Sequence, residues 1–265
     1  MHPMPEGAAA DLPEVTISES AGVRYLHLGT PWVQGAMRID DPLAIELEYV
    51  RRMMVWMLAR DAAEWAGAHA VQLGLGAGAI TRFCSKRLKM RCTAVELNPR
   101  VVDVCRQWFR LPPPSPAFEI LEMDAQRFVD DPRRRGTVDA LCVDLYDHEA
   151  ASPVLDSAAF YRACFELLAG GGTMTVNLFG HKASFETSIR RIAAAFGEEA
   201  VLTVQPTKEG NTVVLAMKQV TLPGRDELAR RAENIETRWQ LPARKWLRMM
   251  RPVASAVAPT RAPPA

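Results

Sequence analysis

From His69 to Asn177, short apolar runs of strand length alternate with stretches whose apolar residues recur at helical spacing. Read for period, they predict a strand over His69–Leu73, a helix over 79–88, a strand over Arg91–Glu96 and a helix over 99–109. A strand around 118–121, a short helix at Ala125–Val129 and a nearly all-apolar strand at Val138–Val143 follow. A helix over 157–168, closed by Gly170, Gly171 and Gly172, and a strand over 173–177 complete at least five βα units. That series predicts an α/β fold with a mostly parallel sheet and helices on both faces. Val201–Val204 and Thr212–Met217 read as closing strands, a natural antiparallel pair.

The pattern differs at both ends. From Glu14 to Met37, Val15 and Ile17, then Val23, Tyr25, Leu26 and Leu28, then Trp32 and Val33 alternate between the breaks Gly22 and Gly29-Thr30-Pro31, predicting a small antiparallel β unit. Asp40-Asp41-Pro42 then predicts a helix start, with Ile45, Tyr49, Met53, Met57 and Leu58 on its packed face. The expected organisation is a flexible N-terminus (1–13), a small β unit (14–41), a large α/β domain (42–220), a helical segment (221–250) and a disordered tail (251–265).

Composition narrows the class. With 265 residues, 48% hydrophobic and 24% charged, the chain suits one large globular domain with a small appendage. A net charge of +1 provides no broad field for nucleic acid or an acidic membrane, and no apolar stretch approaches about 20 residues, so neither is an expected partner. Arg133, Arg134 and Arg135 stand between Pro132 and Gly136 as a solvated loop. Cys84, Cys92, Cys105, Cys142 and Cys164 lie in apolar stretches without CxxC spacing and read as reduced core residues. With no signal-like start in 1–14, they lead to the expectation of a cytoplasmic protein. No His/Cys spacing suggests a metal.

The candidate chemistry sits where strands end. The first strand of the series runs into Gly74-Leu75-Gly76-Ala77-Gly78, where glycines let backbone approach a ligand, and the second ends at Glu96, which can accept ribose hydroxyls. The G-x-G-x-G spacing favours an adenosine-sulfonium ligand over a dinucleotide. Asp124-Ala125 opens the helix after the third strand, where the carboxylate can accept an adenine amine or cap the helix. The fourth strand leaves through Asp144 and Asp147, two carboxylates able to bind a cationic amine and take its proton. His148, beside them, could relay protons.

These residues resemble the spermidine synthases, aminopropyltransferases on the methyltransferase-type Rossmann-like fold. The resemblance spans about Gly22 to Met217 and rests on Trp32-Val33-Gln34, the glycine-rich loop, Val95-Glu96, Met123-Asp124-Ala125, Val143-Asp144-Leu145-Tyr146-Asp147, Phe160-Tyr161 and Gln205-Pro206-Thr207-Lys208-Glu209-Gly210. It implies that Gln34, Gly74, Gly76, Gly78, Glu96, Asp124 and Ala125 hold the donor, decarboxylated S-adenosylmethionine or the intact compound, without a metal. It implies that Asp144 and Asp147 bind the attacking small-molecule amine, with Asp147 catalytic, and that 148–156 gates the site. A homodimer is also implied.

Three positions depart from the family. Ala77 stands where an aspartate would hold the donor's ammonium, and its absence also removes a charge that would repel the carboxylate of intact S-adenosylmethionine. The tyrosine-containing pair of the helix after the hairpin has no clear counterpart in Ala44-Ile45-Glu46-Leu47-Glu48-Tyr49. Lys208 replaces a late tyrosine, and a lysine facing the site would repel an amine. Aminopropyl transfer is therefore read beside two alternatives, methyl transfer from intact S-adenosylmethionine and non-catalytic binding of a nucleoside or polyamine.

Overall fold

A computed structural model of the protein describes residues 12–145, 155–179 and 182–253. Strands β1 (Val15–Ser20), β2 (Val23–Leu28) and β3 (Val33–Arg38) form a three-stranded antiparallel sheet in that order. Ala21 and Gly22, with φ of +49° and +76°, make the two-residue β1–β2 turn, the conformation that twists with a hairpin. On the inner face Leu26 and Met37 are buried with Leu75 and Ala77 of the glycine-rich loop. A Cβ on Gly35 would overlap the backbone nitrogen of Ala77, so this sheet rests directly on the loop.

The helix expected to start at Asp40-Asp41-Pro42 does not form there. The Asp41 carboxylate accepts the Leu43 N–H at 3.2 Å and its carbonyl accepts the Ala44 N–H at 3.0 Å, a local turn that competes with helix. Helix α1 spans Glu48–Met53 and tightens into a 3-10 segment, Met54–Leu58, all of whose residues are buried.

The large sheet follows the predicted alternation: β4 (His69–Leu73), α2 (Ala79–Lys86), β5 (Arg91–Glu96), α3 (Pro99–Trp108), β6 (Phe118–Glu122), α4 (Ala125–Val129), β7 (Val138–Val143), α5 (Ala158–Leu167) and β8 (Leu168–Leu178). Then come α6 (Lys182–Phe196), β9 (Val201–Val204), β10 (Thr212–Met217), α7 (Arg225–Trp239), α8 (Ala243–Met249) and β11 (Met250–Pro252). The strand order is β11-β9-β10-β8-β7-β4-β5-β6. Strands β4 to β8 pair in parallel, whereas β10 runs antiparallel to both β8 and β9, as expected of the closing pair.

Three further features differ from the sequence reading. Strand β8 begins at Leu168, so Gly170 to Gly172 lie inside it, accommodated by a register shift opposite Val138 and Ala140. Helix α6 has no counterpart among the expected elements. Arg251 and Pro252, assigned to the tail, pair with Thr203 and Leu202 of β9.

Alternate strand residues feed opposite layers. Trp56, Phe83 and Trp246 pack on one face with Ala70 and Cys142, and Phe128, Phe160 and Ile189 on the other with Val71 and Leu141. All five cysteines are buried and free. Among the described residues no helix is long and apolar enough to cross a membrane. After β4 the chain lays β5 and β6 to one side, then returns to place β7 and β8 on the other. The loops leaving β4 and β7 therefore diverge at the switch point, the usual ligand crevice of such sheets.

Candidate active site

At that crevice a cavity of about 650 Å³ opens between the carboxyl ends of the strands and the small N-terminal sheet. Gly74, Gly76, Glu96, Asp124, Ala125 and Asp144 line it from below and Gln34 of β3 from above. The cavity thus gathers every described donor and amine residue expected from the sequence except one. Gly78 does not line it: at φ +69° it is the N-cap of α2, and a Cβ there would meet Leu111 at 2.5 Å. Its glycine serves the turn into the helix. Asp147, Tyr146 and His148 lie outside the described residues, as does most of the expected gate segment 148–156.

Each of these cavity residues has a local structural origin. Gly74, at φ +82°, donates its N–H to Val95 O at 2.9 Å, bringing the loop against β5. Glu96 accepts the Leu75 N–H through Oε2 and the Asn98 N–H through Oε1, both at 2.9 Å, and so ties the glycine loop to the start of α3 while facing the cavity. Burial pushes its carboxyl above the ordinary range, opposed by those backbone donors. Asp124 caps α4 by accepting the Arg127 N–H at 3.1 Å and also lines the cavity, a position compatible with both roles expected of it.

The chemically distinctive group is Asp144. It ends β7 with Oδ1 accepting Asn177 Nδ2 at 2.8 Å and Oδ2 accepting the Tyr49 hydroxyl at 3.2 Å. Asn211 Nδ2 in turn donates to Asn177 Oδ1 at 3.1 Å. Burial raises the Asp144 carboxyl, while the bonds from Asn177 and Tyr49 favour its charged form. A carboxylate held in fixed orientation with a raised proton affinity is suited to accept a proton.

Sequence reasoning missed Tyr49, Asn177 and Asn211. A helix starting at 40–42 would put Tyr49 on its packed face. The later start turns the hydroxyl toward β7 and supplies a tyrosine to the site from the helix after the hairpin. Asn177 carries the signal that marks Asp144, a polar residue at the exit of an apolar strand. Asn211 lies just before β10, whose register sets Val213 opposite Asn177. Lys208 is exposed in the turn after β9 and does not line the cavity, whereas Glu209 does.

Electrostatically the cavity has one sign. Its lining holds Glu48, Glu96, Asp124, Asp144 and Glu209 and, among the described residues, no Lys, Arg or His. Glu48 is the one with a direct counter-charge among the described residues, Arg52 at 3.0 Å and Lys245 at 3.5 Å. Such a lining attracts cations. No described group of three or more His, Cys, Asp or Glu is arranged to hold a metal.

The sequence from 71 to 176, β4 to near the end of β8, matches the family model described as a methyltransferase domain. A polyamine aminopropyltransferase of Chromobacterium violaceum is 34% identical over 236 residues, 88% of each chain. This chain belongs to the polyamine aminopropyltransferase family. Structural likeness agrees at the level of fold: a protein described as a probable spermidine synthase from Corynebacterium glutamicum superposes with a TM-score of 0.70 at 19% identity, over 84% of this chain and 83% of that one. Human methyltransferase-like protein 13, solved with SAH, gives 0.65 at 18% identity, over 74% and 93%. Aminopropyltransferases and methyltransferases thus share this sheet, and the anionic crevice is what the family membership has to explain.

Proposed function

We propose that this protein moves an aminopropyl group from decarboxylated S-adenosylmethionine to a small amine, releasing methylthioadenosine. The observation that carries the reading is the anionic cavity lined by the half-buried carboxylate of Asp144, since both co-substrates of this reaction are cations. Gln34, Glu96, Asp124 and Ala125 would hold the nucleoside. Asp144, together with Asp147, would orient the amine. The neutral nitrogen attacks the carbon beside the sulfonium, the C–N bond forms as the C–S bond breaks, and the electron pair returns to sulfur. The surplus proton on nitrogen passes to the aspartate pair. Proximity and this proton acceptance are the main contributions asked of the protein. The exposed Lys208 leaves the amine path free of its charge, and Ala77 contributes a methyl group packed near Gly35 rather than an anchor.

Ala77 favours one second reading, methyl transfer from intact S-adenosylmethionine. Mass spectrometry of the leaving nucleoside separates the two. With decarboxylated donor and putrescine or spermidine, the wild type is expected to release methylthioadenosine, and Asp147→Asn to do so at least about 100-fold more slowly. Formation of S-adenosylhomocysteine from the intact donor, without methylthioadenosine from the decarboxylated one, would overturn the proposal.

Tyr49 gives a pH prediction. The acceptor carboxylate must be ionised, so activity falls as pH drops through the raised Asp144 value. The Tyr49 bond favours the charged form, so Tyr49→Phe raises that value further and moves the acidic limb of the rate profile to higher pH. Turnover on the plateau should fall by no more than about tenfold, the scale of one hydrogen bond. A pH–rate profile with an unmoved limb would show that the hydroxyl does not act on Asp144.

A further inference from the structure

Gln72 is the penultimate residue of β4 and is buried, at a position where a parallel strand ordinarily carries an apolar side chain. Its amide is fully used. Nε2 donates to Gly74 O at 2.8 Å and to Leu75 O at 3.1 Å. Oε1 accepts the Thr81 N–H at 3.1 Å and the Thr81 hydroxyl. A primary amide offers two donors and two acceptor lone pairs, so all four are matched, and a buried amide is tolerable only when matched. The side chain does not line the large cavity.

These four bonds join three elements that must keep register around a nucleoside: the strand, the glycine loop and the first turns of α2. Leu75 is gripped from both sides, its carbonyl by Gln72 behind the loop and its N–H by Glu96 in front of it. We infer that Gln72 is a positioning residue for donor binding, presetting the loop and through Leu75 the carboxylate of Glu96. The inference rests on the reading of the cavity as a nucleoside site. No other side chain reproduces the pattern: Leu supplies none of the four bonds, Asn is too short, and Glu keeps the acceptors but donates only when protonated.

The test compares full-length wild type, Gln72→Leu and Gln72→Glu by two readouts, hydrogen exchange of the ligand-free loop peptide 73–82 and affinity for methylthioadenosine and S-adenosylhomocysteine, each across a range of pH. The expected result is faster loop exchange and at least about tenfold weaker nucleoside binding in Gln72→Leu, the loss of a matched buried amide being worth that much or more. Gln72→Glu is expected to be impaired at neutral pH and to recover toward wild type, compared at equal pH, as acidification lets the carboxyl donate to a loop carbonyl. That pH-dependent rescue is not what a merely structural side chain would show, and it decides the matter if Gln72→Leu does not fold. Wild-type exchange in both variants, or a Gln72→Glu defect indifferent to pH, would overturn the inference. Failure of the wild type to bind either nucleoside would overturn the reading of the cavity, while loop exchange still reports on Gln72.

Discussion

Replacing Asp144 with asparagine is expected to lower turnover by about 10²–10⁴-fold, the range of a lost general base, while methylthioadenosine affinity stays within about threefold. The substitution keeps shape and removes charge. The new amide carbonyl can still accept from Asn177, and its NH₂ can donate to the Tyr49 oxygen, so the bonds that orient the side chain survive. The fold is therefore spared, and the loss appears in kcat rather than in thermal stability. Steady-state kinetics with nucleoside titration and a melting curve check this directly. Near-normal kcat in the Asp144→Asn enzyme would remove Asp144 from proton transfer.

The second large effect is steric. Gly74→Ala would drive a Cβ into the Asp144 carbonyl oxygen and to 3.0 Å from its carbon, with φ at +82°. The obstacle is backbone that cannot retreat, because the Asp144 N–H donates to Leu73 O at 2.9 Å where β7 meets β4. Left-handed strain and the overlap together should cost about 2–4 kcal/mol, a fall in Tm of about 5–15 °C, and abolish nucleoside binding. Gly67→Ala is the control. Gly67 has nearly the same φ, +80°, but nothing within 4 Å of its added Cβ, so only the left-handed backbone cost of about 1–2 kcal/mol applies. Equal losses in the two variants would contradict the close-approach account and leave φ alone responsible.

What the sequence disclosed follows from what periodicity encodes. Strands β4 to β7 each carry a short apolar run, and the carboxylates where they end, Glu96, Asp124 and Asp144, mark the crevice, although Asp124 also serves as the N-cap of α4. The start of α1 is misread from sequence because Asp41 spends its side chain and carbonyl on a local turn, which looks like a helix cap until the partners are known. Helix α6 escapes the reading although Phe185, Ile189, Ile192 and Phe196 recur at helical spacing. Strand β11 has no signal, since Arg251 and Pro252 become a strand only through the edge of β9. Tyr49, Asn177 and Asn211 show the same limit in the site: their chemistry lies in bonds between residues 33 to 95 positions apart. Lys208 shows the converse, a residue whose place in sequence suggests repulsion of an amine and whose place in the turn removes it.

Aminopropyl transfer requires that a three-carbon chain, and not a methyl group, pass from the donor to the amine. It is tested most directly by incubating the protein with decarboxylated S-adenosylmethionine deuterated in the aminopropyl chain and following the label by mass spectrometry. The predicted result is an elongated amine carrying the whole label, formed in equal amount with unlabelled methylthioadenosine. An unlabelled methylated amine, with the label left on the nucleoside product, would contradict aminopropyl transfer.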